Sequence, residues 1–185
     1  MNSAETKSRI RNELLSLMRE KPVETIKVTE ITEKLGISRT TFYSYYNSIH
    51  DVLQEIENMF ISDFERFNRD FHGSPFDDKY FNIPYPTITE TLRFLNRYRS
   101  LLSILTDENN GDPIFRYKCK KLINEEFYKK AISQDYIHVK NKLAEVYMTG
   151  GHFEMFLYYF SNDLKMDYEE MAVMIYTIMF RPYRP

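Results

Sequence analysis

The chain has 185 residues, of which 43% are hydrophobic and 28% charged, with a net charge of −2 and a pI near 6.1. That is enough apolar material for a buried core. No apolar run approaches the roughly 20 residues of a membrane span and no basic-then-apolar leader is present, so the expectation is a cytoplasmic protein with no membrane partner. The single cysteine, Cys119, rules out an internal disulfide and any Cys-x-x-Cys pair for zinc or redox chemistry, which leaves it as a packing residue.

Apolar residues spaced by three and four, with only five glycines and seven prolines, predict an all-α fold. Ile10, Leu14, Leu17 and Met18 stripe a first helix that ends near Lys21-Pro22. Ile31 and Leu35 mark a very short second helix, closed by Gly36 as the left-handed residue. A third helix opens at Ser38, a good N-cap, and stops near Asn47. Ser48-Ile49-His50-Asp51 has capping-box spacing and launches a longer helix striped by Ile49, Val52, Leu53, Ile56, Phe60, Phe64 and Phe67. The segment "HGSPFDDKYFNIPYPT" reads as a long connection. Helical patterns resume from Ile88 to Leu105, break at "DENNGDP", and continue from Ile114 to about Ile132, from Tyr136 to Leu164, and from about Asp167 to Phe180.

Two short helices joined by a Gly-containing turn and backed by a longer amphipathic one make a helix-turn-helix arrangement. Phe42 and Tyr46 then face inward with Ile31, Leu35 and Ile37. Arg39, Thr40, Thr41, Tyr43, Ser44 and Tyr45 lie toward the other surface, with Ser38 at the helix start and Thr29 on the preceding helix as further contact candidates. Arginine grips guanine bidentately, threonine meets base edges or a thymine methyl, and tyrosine hydroxyls reach phosphates, so this face suits the major groove of double-stranded DNA. Tyr45 has a second reading, packing on the first helix. Charge agrees: residues 1–48 carry eight Lys or Arg against six Glu, whereas the remainder is net negative. Lys7, Arg9 and Arg11 either line the DNA backbone or are merely solvated.

The stretch "VTEITEKLGISRTTFYSYYNSIHDVL" resembles the TetR (tetracycline-repressor-like) family of transcriptional regulators, through Ile31, Gly36, Ile37, Ser38, Thr41, Phe42 and Tyr43, with Tyr46 at the usual Phe. The resemblance covers residues 7 to about 60. "NNGDPIFRYKCKK" and "YMTGGHFEMFLYYFSNDLKMDYEEMAVMI" are similar, more weakly, to the regulatory domain of a subgroup of that family. The sequence departs from the family at Ile49, where many members carry a lysine beside a phosphate; His50 or the bare helix N-terminus is expected to take its place.

The resemblance implies a DNA-binding domain over 1–48 and an effector-binding and dimerisation domain over 49–185, joined through the helix starting at 49. It also implies a homodimer formed by the last two helices and repression of an operator relieved by a small molecule. A stripe of Met171, Ile175, Ile178 and Met179 is read as part of the dimer face. Tyr147, Phe153, Phe156, Met171 and Met174 are core or interface residues on one reading, and on another line a pocket for an apolar or aromatic effector. Two functions stay open: a regulator released by such an effector, and an interaction module of the same fold that does not respond to one. His50, His72, His138 and His152 share no i, i+4 spacing, so no metal site is expected. With no catalytic grouping, P-loop or dinucleotide fingerprint, neither an enzyme nor a cofactor is expected.

Overall fold

The computed structural model describes residues 3–71, 86–125, 142–162, 164 and 166–180. Among them are nine α-helices and no strand: α1 (Ser3–Met18), α2 (Val28–Leu35), α3 (Arg39–Tyr43), α4 (Ile49–Phe71), α5 (Pro86–Arg97), α6 (Arg99–Leu105), α7 (Pro113–Ile123), α8 (Lys142–Ser161) and α9 (Tyr168–Phe180). Most of the connection expected at 72–87, and residues 126–141, which take in His138 and the expected start of the penultimate helix, lie outside the described residues. The chain divides into two compact units, Met1–Asp63 with Leu101–Phe115, and Phe64–Ser100 with Arg116–Pro185.

In the first unit the expected stripes are inside: Ile10, Leu14, Leu17 and Met18 of α1, Ile31 of α2, and Val52, Leu53, Ile56 and Phe60 of α4 are all buried. The ring of Phe60 meets that of Phe115 edge-on, 5.8 Å between centroids. Short α2 is fixed at both ends. Glu30 accepts the Lys27 backbone N–H at 2.8 Å, and at the other end Arg9 of α1 donates to the Leu35 carbonyl at 3.0 Å. The turn after α6 folds around Asp107, whose carboxylate accepts from the backbone of Asn109 and Asn110 at 2.9 and 2.8 Å. Gly111 closes that turn, and a side chain there would meet the backbone of Asp107 and Leu105 at 2.6–2.7 Å.

The second unit is built on aromatics. Phe67 of α4 stacks on Phe94 of α5 at 4.6 Å, with Phe64 edge-on to the same ring at 5.7 Å. Leu92 of α5, Phe160 of α8, and Met171, Ala172 and Ile175 of α9 form a buried cluster. Arg99 donates to the Phe160 carbonyl at 2.6 Å and so closes the end of α8, and Tyr159 donates to the Met166 carbonyl at 2.8 Å across the following loop. Helix α9 then starts from a reciprocal cap, in which Asp167 accepts the Glu170 N–H at 2.7 Å and Glu170 accepts the Asp167 N–H at 3.3 Å. Cys119 is buried.

Candidate nucleic-acid interface

The helix-turn-helix forms because its turn chemistry is correct at each step. Gly36 sits at φ +64°, ψ +35°, which lets its own N–H reach the Glu33 carbonyl at 3.2 Å and the Ile37 N–H reach the Thr32 carbonyl at 3.0 Å. Two residues later Ser38 Oγ accepts the Thr41 N–H at 2.9 Å and starts α3. Five residues are too few for a helix to stand alone. What fixes α3 is Phe42, 0% exposed, and Tyr46, also buried, whose rings lie 6.0 Å apart.

With Phe42 inward, Arg39, Thr40, Tyr43 and Ser44 point outward, Tyr43 at 53% exposure. One short face thus offers a guanidinium fork, a hydroxyl-methyl pair and a phenol, which can read base edges and hold phosphates. The regular helix ends at Tyr43, earlier than the expected stop near Asn47. Backbone bonds from Tyr45 and Tyr46 to the Phe42 carbonyl carry the last turn.

The other expected contacts differ in their freedom. Ser38 and Thr41 are spent largely on each other, their hydroxyls 2.8 Å apart, and Thr41 is half-buried. Ser44 donates to the Thr41 carbonyl at 2.7 Å but remains exposed. Thr29 and Tyr45 are half-buried, and His50 is exposed.

The start of α4 is not bare. Ser48 Oγ accepts the Asp51 N–H at 3.1 Å and donates to the Asp51 carboxylate at 3.0 Å, and that carboxylate accepts the Asn47 N–H at 2.9 Å. The Ser48 hydroxyl, followed by the Asn47 N–H, holds the Asp51 carboxyl below its ordinary value, so it is charged where a phosphate would approach. Asp51, Glu55 and Asp63 also line an open groove of about 510 Å³ along α4.

Lys7 and Arg11 turn inward within the unit. Lys7 Nζ reaches Glu55 at 2.9 Å and Arg11 Nη1 reaches it at 2.6 Å, while Lys7 also lies 4.9 Å from the centre of the Tyr46 ring. Burial pushes the Glu55 carboxyl up, but the hydrogen bond and charge of Lys7, the Tyr46 phenol and the charge of Arg11 together outweigh it, so the group titrates below its usual value. Sequence reasoning missed Glu55. Its partners lie 48 and 44 residues away in sequence, so no local pattern points to it.

No protein-family model matches the chain. It is 26% identical over 114 residues to an uncharacterized HTH-type transcriptional regulator of Bacillus subtilis (strain 168), YxbF; the match takes in 59% of this chain and only 28% of that protein. Among solved structures, a TetR transcriptional regulator from Streptococcus agalactiae 2603V superposes with a TM-score of 0.67 at 20% identity, over 96% of this chain and 95% of that one. The fold is that of a TetR transcriptional regulator.

Within this TetR-type fold the effector candidates are spread out. Phe156, Met171 and Met174 share the cluster around Leu92, and Phe153 is buried beneath Arg116 and Lys120, whose cations lie 5.7 and 5.0 Å from its ring. Tyr147 is 78% exposed and joins none of them. The stripe read as a dimer face needs correction: Met171 and Ile175 are buried inside the protomer against α5, Ile178 is exposed, and the Met179 side chain lies outside the described residues. A helix apolar on nearly every side gives no periodic signal for which side meets its own core. The exposed apolar residues of these two helices are Leu143, Val146, Tyr147 and Tyr158 of α8 with Val173 and Ile178 of α9. No helix among the described residues is long and apolar enough to cross a membrane.

Proposed function

We propose that the protein is a cytoplasmic, sequence-specific DNA-binding transcriptional regulator, acting as a homodimer and repressing until a small apolar or aromatic effector releases it. The observation that carries this is the five-residue helix α3, anchored by Phe42 and Tyr46 and presenting Arg39, Thr40, Tyr43 and Ser44 to the outside, in a chain with the TetR fold. One such helix reads only a few base pairs, so specificity calls for two copies spaced one turn of DNA apart, about 34 to 36 Å. DNA-binding residues are Arg39, Thr40, Tyr43 and Ser44, with Thr29, Tyr45 and His50 flanking them and Ser38 and Thr41 shaping the helix start.

The dimer surface is the exposed apolar strip of α8 and α9. Leu143, Tyr147, Gly151 and Tyr158 fall on one side of α8, and at Gly150 and Gly151 nothing lies within 4 Å of a built side chain, so a second helix can approach closely there. Effector release is a population shift: a ligand favouring one spacing of the recognition helices weakens DNA binding by its differential affinity, typically 1 to 3 kcal/mol. Helix α4, whose first residues belong to the first unit and whose last belong to the second, is the element that carries the change.

Selection of binding sites from a random duplex pool tests the reading. A two-fold symmetric site with half-sites one turn apart is the expected result. Recovery of no preferred sequence would leave the interaction-module alternative in its place.

A further inference from the structure

Helix α3 has no stability of its own, so whatever holds Phe42 and Tyr46 sets the angle at which Arg39 and Tyr43 are presented. Tyr46 is buried, and Lys7 of α1 covers its ring at 4.9 Å. Lys7 is in turn held by Glu55 of α4 at 2.9 Å, and Arg11, one turn along α1, takes the other oxygen of the same carboxylate at 2.6 Å. A chain of contacts therefore runs from Glu55 through Lys7 to Tyr46 and Phe42, joining α4, α1 and the recognition helix within one compact unit. The two cations share a single acid. Without its charge the two cations would repel each other, and Lys7 would not keep its position over the Tyr46 ring.

We infer that Glu55 is a positioning residue for DNA recognition: gripped by Lys7 and Arg11, it sets the recognition helix against α4 without touching DNA. The inference rests on the DNA-binding function proposed above and adds a residue of α4 that lines one groove with Asp51 and Asp63. It also reassigns Lys7 and Arg11, which the sequence placed as candidates for the DNA backbone.

The test is Glu55→Gln, which keeps the shape and removes the charge, with Lys7→Met as a second variant that removes only the cation over Tyr46. Each is titrated against a duplex selected by the wild-type protein and against a scrambled duplex of the same composition, at several salt concentrations. Amide hydrogen exchange at Phe42 and Tyr46 is followed in parallel, with Ile31 as the internal reference. Positioning predicts at least tenfold weaker binding of Glu55→Gln to the selected duplex, unchanged binding to the scrambled one, and faster exchange at Phe42 and Tyr46 but not at Ile31; Lys7→Met follows in the same direction by less. Tighter binding to both duplexes with a steeper salt dependence would mean that freed Lys7 and Arg11 reach phosphates, and would overturn the inference. Wild-type affinity and wild-type exchange in α3 would overturn it too, whatever the melting temperature. If the wild-type protein prefers no duplex, the DNA-binding reading fails by itself, and exchange in α3 still decides the role of Glu55.

Discussion

Gly36→Ala isolates the backbone requirement of the helix-turn-helix. Gly36 is at φ +64°, and a Cβ built there meets nothing within 4 Å, so alanine introduces no clash. The cost is conformational alone. An L-residue in the left-handed region is disfavoured by roughly 1–2 kcal/mol, and alanine recovers part of this by reducing the freedom of the unfolded chain, about 0.4–1 kcal/mol. The net loss is about 1 kcal/mol, equivalent to a fall in Tm of roughly 2–4 °C for a chain of this size. Asparagine, which tolerates the left-handed region, should lose less than alanine, and valine more. Urea denaturation of the three variants beside wild type gives the order directly. Equal stability of the alanine and wild-type proteins, with no ranking among the variants, would refute the assignment of Gly36 as the left-handed cap.

Other perturbations separate the protomer core from the dimer surface and fix a pH dependence. Ile175→Asp buries a carboxylate among Leu92, Phe160 and Met171, so it should destabilise the protomer by several kcal/mol, seen in denaturation; Tyr158→Asp should leave the fold intact and give monomers in sedimentation. A dimeric Tyr158→Asp protein would move the interface elsewhere. Gly111→Ala must displace the backbone of Asp107 and Leu105 and should cost more than Gly36→Ala; equal losses would contradict the close approach at that turn. Burial holds His152 below the ordinary imidazole value of 6.5, partly opposed by its hydrogen bond to the Met148 carbonyl. Below that value the unfolded chain takes up a proton that the folded one does not. Stability should therefore fall as pH drops through 6.5, by at most about 1.4 kcal/mol per pH unit, and level off below the folded-state pKa. His152→Gln should flatten that segment of the profile, and an unchanged slope would assign it to other groups.

The helix-turn-helix was legible because its determinants are local: Gly36, Ser38 and the Phe42–Tyr46 pair act within a few residues, and each does in the structure what its type and spacing imply. The outward face followed from the same spacing, except that Thr41, which the sequence placed with the exposed residues, turns its hydroxyl to Ser38. Less could be read where partners are distant. The ends of Lys7 and Arg11 are decided by Glu55, and that of Arg9 by the Leu35 carbonyl, neither of which a local pattern predicts. In α9 the difficulty is different, since apolar residues on most sides hide which of them meet α5. Tyr147 looked like Phe153 in sequence, yet one is exposed and the other lies beneath two cations.

Whether the outer face of α3 reads DNA is decided by Arg39→Ala combined with Tyr43→Ala. Both side chains are exposed, and Tyr43 meets the core only through the edge of its ring on Phe42 at 5.6 Å, so the melting temperature should fall little and dimerisation should match wild type. A bidentate arginine contact is worth about 1–3 kcal/mol of discrimination, so affinity for a selected duplex should fall by roughly five- to 150-fold on that account, while a scrambled duplex, which loses only the phosphate contact of Tyr43, should weaken by much less. Thr41→Ala, which touches the Ser38 cap, should instead act mainly on stability. Wild-type affinity and wild-type sequence preference in the Arg39→Ala, Tyr43→Ala protein would contradict the account.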